Sequence, residues 1–193
     1  ILAATVINGK SNILLNAPKL RDVEIMEKIL SEIGCDVRRS EDIISVDSKD
    51  ISSIKIPEGL VREMRSSIVL MGAMLSRTGE VIIGYPGGCE LGPRPIDLHL
   101  KALRQMGVEI EESHGFLHCK AKKLKGCDIQ LDYPSVGATE NIMLAATKAD
   151  GTTTIRNAAR EPEIIDLQNF INFIGGKVCG AGTSVIRVDG VKE

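Results

Sequence analysis

The residues best suited to do chemistry lie in one glycine- and proline-rich stretch, Gly87-Gly88-Cys89-Glu90-Leu91-Gly92-Pro93-Arg94-Pro95. A thiol with an ordinary pKa of ~8.5 can give up a proton near neutrality, and nearby positive charge makes it a better nucleophile. Gly87 and Gly88 admit backbone conformations closed to other residues, so the stretch can move as a lid or let a ligand approach the main chain. Pro95 suits the first turn of a helix beginning near Ile96, which places Arg94 beside unsatisfied N–H groups at an end that favours anions. A phosphate fits there. A free cysteine is also commonly a small buried hydrophobe. The flanks of Cys89 are polar and turn-forming, which favours the reactive role.

Two other predicted helix starts could hold an anion. Met64-Arg65-Ser66-Ser67 precedes one apolar helical segment, and Tyr133-Pro134-Ser135-Val136-Gly137-Ala138-Thr139 precedes another. Ser and Gly at a helix start expose backbone donors, although simple capping is the favoured reading from local sequence. The histidines carry less. His114 and His118 lie in a strand-like run with no second ligand pair at zinc spacing. His99 occupies a helical position that is apolar in related segments and reads as a partly buried, satisfied side chain. Lys120 to Lys125 reads as a solvated turn.

The elements that must position these residues recur three times. Short Ala/Leu/Met-rich segments at Ile1 to Thr5, Leu70 to Leu75 and Leu144 to Thr147 run toward Gly9, Gly79 and Gly151, which are 70 and 72 positions apart. Each glycine is followed by a β-rich run (Asn12 to Leu15, Glu80 to Ile83, Thr152 to Ile155), a turn, and an amphipathic helix ending at Gly34, Gly107 or Gly175. The helical stripes read Met26, Ile29, Leu30, Ile33; then His99, Ala102, Leu103, Met106; then Leu167, Phe170, Ile171, Ile174, which is the period of one helix face. A strand-like pair follows each terminal glycine. Such units are too large for common solenoid repeats, so the expectation is an α/β fold in which three pseudo-repeats pack their short apolar helices together. Function is expected where one copy departs from the others. Pro18 to Gly34 and Ala159 to Gly175 each span 16 positions, but Pro86 to Gly107 spans 21, so the cysteine stretch is an insertion into the second unit.

Composition excludes several classes. The 193 residues are 43% hydrophobic and 26% charged, ordinary for a globular chain. A net charge of −2 gives no global support for nucleic-acid binding. At 3% aromatic and without Trp, the chain lacks the stacking faces on which single strands and sugars are held. Its apolar runs fall short of a membrane span. Five cysteines, an odd number without a CxxC pair, read as reduced thiols of a cytoplasmic protein. The opening residue is Ile within an apolar stretch, so the chain is expected to be a piece of a longer protein.

Taken together, Pro86-Gly87-Gly88-Cys89, Arg94-Pro95-Ile96-Asp97-Leu98-His99, Ser135-Val136-Gly137-Ala138-Thr139 and Ala159-Arg160-Glu161-Pro162-Glu163-Ile164 closely resemble the UDP-N-acetylglucosamine 1-carboxyvinyltransferase family of enolpyruvyl transferases. The resemblance covers the whole chain. It implies the inside-out α/β barrel fold, with three βαβαββ units around buried helices, and residues 1–193 as a single domain, the cysteine-loop half of a two-domain enzyme. The implied activity transfers the enolpyruvyl group of phosphoenolpyruvate to the 3-hydroxyl of UDP-N-acetylglucosamine with release of phosphate, in peptidoglycan synthesis. No metal or organic cofactor is implied. Nor is nucleic acid or membrane. By resemblance, Cys89 is the general acid of the loop and the residue alkylated by fosfomycin. Arg94 meets the phosphate of phosphoenolpyruvate, and Arg65 is a further substrate-site arginine. Arg94, Pro95, Ile96, Asp97 and Leu98, with Tyr133, Pro134, Ser135 and Val136, match stretches that hold the UDP-sugar. Tyr133-Pro134 stands where other members often carry Lys-Val. The family's Lys-Asn pair would precede Ile1, and its catalytic aspartate and a further phosphate-binding arginine belong to the second half, so the isolated chain is expected to lack a complete site. A sister transferase acting on shikimate phosphate shares the fold but lacks the cysteine lid, and the Pro86 to Arg94 insertion decides against it. A non-catalytic UDP-sugar-binding or regulatory module derived from the enzyme is the reading from another class.

Overall fold

Apolar residues on every side of a helix leave it no face for water, and two segments of this chain have that character. In the computed structural model, which describes residues 1–86 and 96–192, helix α3 (Leu70–Thr78) is buried from Leu70 through Ser76, and α5 (Val136–Ala146) buries eight of its eleven residues. The two pack directly on each other, joined by a short 3-10 helix, Leu2–Val6, with Ala3, Ala4, Thr5 and Val6 buried. These are the three predicted core segments. The first takes the tighter 3-10 form, and α5 begins at Val136, within the Tyr133 to Thr139 helix start read from sequence.

Three sheets surround this helical interior. The first joins β1 (Ser11–Leu14), β2 (Asp36–Ser40) and β3 (Ile43–Asp47) in the order β1-β3-β2; the second joins β4 (Glu80–Gly84), β5 (Glu109–Ser113) and β6 (Phe116–Lys120) as β4-β6-β5. The third repeats that order with β8 (Thr152–Arg156), β9 (Lys177–Cys179) and β10 (Val185–Asp189), and adds β7 (Asp128–Gln130) parallel to β8. All other strand pairs are antiparallel. In the second sheet an isolated parallel bridge, Lys55 to Ile82, occupies the place of β7. The second and third units therefore show the βαβαββ order. Along β3, β6, β8 and β10 burial alternates, one face on the core and one toward water, as a half-buried strand requires.

The amphipathic helices α1 (Arg21–Glu32), α4 (Asp97–Gln105) and α6 (Pro162–Phe173) close each unit. Each stops before a glycine in the left-handed region, Gly34, Gly107 and Gly175, with φ of 106°, 89° and 103°. The first two stripes are buried in full; in α6, Leu167 and Ile171 are buried while Phe170 and Ile174 are only half-buried. A short helix, α2 (Glu58–Glu63), was not marked by any sequence signal. The Lys120 to Lys125 turn exposes its lysines but anchors Ala121 and Leu124 in the core. Among the described residues no helix is long and apolar enough to cross a membrane.

Candidate active site

The predicted site residues converge because helix starts from different units meet. Ser135 caps α5, its Oγ accepting from the Ala138 N–H at 3.4 Å. Arg65 opens a 3-10 turn, Arg65–Val69, that leads straight into α3. A cavity of about 680 Å³ lies between these two starts, lined by Arg65, Tyr133, Pro134, Ser135 and Val136 among the residues anticipated from sequence. The first N–H groups of a helix have no partner within it, so the α5 start beside this cavity, together with Arg65 in its wall, suits an anion. Capping at Ser135 and anion binding are thus compatible at one helix start.

Arg65 also lines a smaller cavity of about 240 Å³ with Tyr85, Pro86, Ile96, Asp97, Leu100 and Glu112. Tyr85-Pro86 and Ile96 are the two stems of the 87–95 stretch, so both of its ends reach the neighbourhood of Arg65. Cys89, Arg94 and Pro95 lie outside the described residues. The helix expected near Ile96 begins at Asp97, with Ile96 as its buried N-cap and Asp97 exposed in the first turn. Leu98 is buried in the hydrophobic core and lines neither cavity; only its main chain could meet a ligand. At the stem, Tyr85 donates its hydroxyl to Glu112 at 2.5 Å, and that bond to a carboxylate pushes the phenol up to about 12.

Sequence reasoning assigned no ligand role to Asp22, Ile68, Val69, His99 or Glu140, all of which line the larger cavity. Asp22 enters from α1, and Glu140 from the second turn of α5, where burial raises its carboxyl. Val69 supplies apolar wall. His99 lines the cavity too, although the residue is only 7% exposed. Its Nδ1 lies 2.9 Å from Asn141 Nδ2, which also donates to the Ile68 carbonyl at 3.0 Å, while Asn141 Oδ1 accepts from the Gly72 N–H at 2.5 Å. Burial, assisted by the Arg65 charge, pushes His99 down to about 4, so the ring is neutral at physiological pH. No signal in the sequence links His99 to Asn141, 42 positions away.

Among the described residues no group of His, Cys, Asp or Glu is arranged to hold a metal ion. Cys35 and Cys119 are buried and their thiols are pushed up to about 11, chiefly by burial, which removes them from nucleophilic chemistry near neutrality. His118 faces Glu80 at 2.6 Å on the outer sheet, away from both cavities.

Helices enclosed by three like sheets, with a cavity suited to anions where the helix starts meet, are the architecture of the enolpyruvyl transferase fold. The enolpyruvyl transferase NikO from Streptomyces tendae superposes with a TM-score of 0.85 at 20% identity, over 98% of this chain and 45% of that one. EPSP synthase from Acinetobacter baumannii superposes with a TM-score of 0.74 at 19% identity, over 98% and 44%. The chain belongs to the EPSP synthase (3-phosphoshikimate 1-carboxyvinyltransferase) family, whose sequence profile matches residues 1–193. Curated relatives named UDP-N-acetylglucosamine 1-carboxyvinyltransferase include proteins from Caldanaerobacter subterraneus subsp. tengcongensis, 56% identical, and Carboxydothermus hydrogenoformans, 51% identical. Both matches cover all of this chain and 46% of the relative, so the chain spans about half the length of the curated relatives it matches.

Proposed function

We propose that this chain is the cysteine-loop half of a cytoplasmic enzyme that transfers the enolpyruvyl group of phosphoenolpyruvate to the 3-hydroxyl of UDP-N-acetylglucosamine, in peptidoglycan synthesis. The observation that carries the reading is the cavity shared by Arg65 and the Tyr133 to Val136 start of α5, with both stems of the cysteine stretch beside Arg65. Relatives at 51–56% identity bearing the UDP-N-acetylglucosamine name favour that acceptor over 3-phosphoshikimate, the acceptor in the family's description.

The chemistry asks for a proton donor and for cations. Cys89 gives its thiol proton to the methylene carbon of phosphoenolpyruvate, and the sugar oxygen bonds to the adjacent carbon as its own proton is removed. Loss of phosphate with a proton from the new methyl group restores the double bond on the product. Arg94 and Arg65 offset charge on phosphate oxygens, where a guanidinium can pair two at once. Pro95, Ile96, Asp97 and Leu98, with Tyr133, Pro134, Ser135 and Val136, hold the UDP-sugar. A second domain supplies the remaining catalytic groups and closes over the site, excluding water.

The test uses the natural polypeptide that carries this chain. Phosphate release should require both phosphoenolpyruvate and UDP-N-acetylglucosamine. Cys89→Ser should slow turnover by about 10²-fold or more, and fosfomycin should add one covalent equivalent at Cys89. The excised residues 1–193 should bind UDP-N-acetylglucosamine weakly and release no phosphate. Turnover with 3-phosphoshikimate alone, or a fosfomycin adduct on Cys35, Cys119, Cys127 or Cys179 with Cys89 unmodified, overturns the reading. Tight binding without turnover by the natural protein would mark a UDP-sugar-binding module instead.

A further inference from the structure

We propose that His99 is a ligand-binding residue of this site, presenting its Nε2–H as a neutral hydrogen-bond donor to a diphosphate oxygen of the nucleotide sugar, and that Asn141 is the positioning residue that aims it. The inference rests on the reading of the cavity given above and gives a ligand role to a residue that the sequence analysis read as a partly buried, satisfied side chain.

The tautomer follows from donor arithmetic. The Asn141 side-chain nitrogen has two hydrogens; one goes to the Ile68 carbonyl at 3.0 Å and the other points to His99 Nδ1 at 2.9 Å. Nδ1 therefore accepts, and the ring proton sits on Nε2. Oδ1 of the same amide takes the Gly72 N–H at 2.5 Å, so the orientation of the Asn141 side chain is fixed from three directions. The ring in turn cannot exchange its nitrogens without breaking the Nδ1 contact.

The second observation concerns the other nitrogen. His99 is 7% exposed, its one side-chain hydrogen bond among the described residues is made by Nδ1, and Nε2, which is not among the buried atoms lacking a partner, belongs to the part of the ring that forms the cavity wall beside Gly137. A Cβ on Gly137 would come within 3.2 Å of His99 Cε1 and 3.5 Å of Nε2, so the ring edge lies against the first turn of α5. Packing does not demand a histidine at this position. The sister helices carry Met26 and Leu167 at the same place in their stripes, both buried. An Nε2–H that opens onto this cavity is free to donate to an anion held there, and to water when the cavity is empty.

Charge favours a neutral donor. Arg65 shares the cavity wall and opposes a second positive charge on the ring, while Asp22 and Glu140 face the same space from α1 and α5. A neutral N–H contributes direction beside Arg65 and the helix start. It can add a hydrogen bond to an anion already attracted by those groups without requiring a buried cation when the site is empty.

The experiment uses the natural polypeptide with UDP-N-acetylglucosamine as the probe. In free protein, nitrogen-resolved NMR of the histidine ring should show Nε2 protonated and Nδ1 bare. On addition of the probe, the Nε2–H resonance should move. Asparagine places a polar atom near Nδ1 but none near Nε2, whereas glutamine reaches the Nε2 position. His99→Asn should therefore raise the Kd and KM for UDP-N-acetylglucosamine about tenfold or more, and His99→Gln should restore most of that loss. A ring proton on Nδ1, an Nε2–H resonance unmoved by saturating probe, or equal weakening in both variants overturns the His99 inference and leaves the site reading standing. Failure of the unaltered protein to bind the probe overturns the site reading itself, and the role of His99 with it.

Discussion

Replacing Gly72 with alanine tests whether the helical interior is as tight as its geometry implies. A Cβ at position 72 would lie 2.2 Å from the Asn141 main-chain oxygen and 2.6 Å from its Oδ1, against the 3.4 Å at which ordinary contact begins. The main-chain oxygen belongs to α5 and cannot rotate away, so α3 and α5 must part by more than 1 Å, the difference between 2.2 Å and 3.4 Å. Overpacking of this kind costs roughly 1–3 kcal/mol. Separation also stretches the Gly72 N–H bond to Asn141 Oδ1, the side chain that satisfies an early amide of α3 from another helix; losing it adds roughly 1–3 kcal/mol. The greater helix propensity of alanine offsets about 1 kcal/mol. The net expectation is a destabilisation of about 1–5 kcal/mol, with a midpoint near 3 kcal/mol that corresponds to roughly 6–12 °C in Tm for a chain of this size. Thermal and urea unfolding followed by circular dichroism read this directly. Gly59→Ala in α2 is the control, since its Cβ would meet nothing within 4 Å, and it should be neutral or slightly stabilising. A Gly72→Ala variant that melts within a degree or two of the parent would refute the close helix contact.

Stability should also fall in mild acid. Because His99 is held at about 4 when folded against an ordinary 6.5, the unfolded chain binds its proton first; stability is full above about 6.5 and declines toward 4, by about 3 kcal/mol from this group. Glu140, raised by burial, has the opposite slope, so the quantity to measure is the difference in urea midpoints between the parent and His99→Asn from pH 4 to 7; a difference independent of pH would refute the buried neutral ring. Among the described thiols, Cys179 should react first with a colorimetric disulfide reagent, half-buried Cys127 more slowly, and Cys35 and Cys119 only on unfolding. Peptide mapping after partial labelling checks that order, and early modification of Cys35 or Cys119 would contradict their burial.

The three-unit plan was legible because its signals are local. Left-handed glycines at the ends of α1, α4 and α6, a 3.6-residue stripe and short alternating strands each act within a few positions, and their recurrence gave the unit length. Where packing over long distances decided the outcome, the reading lost resolution. Leu2–Val6 has a composition suited to an α-helix but forms a 3-10 turn. The α6 stripe looked like its sisters, yet Phe170 and Ile174 remain half-buried and Phe173 is 87% exposed. Arg65 and the Tyr133 to Val136 segment were visible as helix starts, while the fact that they face one cavity is a property of how units two and three pack. Asp22 and the His99–Asn141 pair had no local pattern to betray them, since their polar character is explained only by neighbours from other helices.

The order β1-β3-β2 is reproduced as β4-β6-β5 although the second unit has twelve residues (85–96) between its first strand and its following helix, against six (15–20) in the first unit and five (157–161) in the third. The longer connection is accompanied by a shorter helix, α4 having nine residues against twelve in α1 and in α6, and the strand order is unchanged. In engineering terms the junction is a socket: its ends are fixed by β4 on one side and α4 on the other, and the scaffold does not register what is mounted between them. Such a scaffold can acquire, lose or exchange a reactive loop in one step, and loops of different chemistry could be grafted there without redesigning the core.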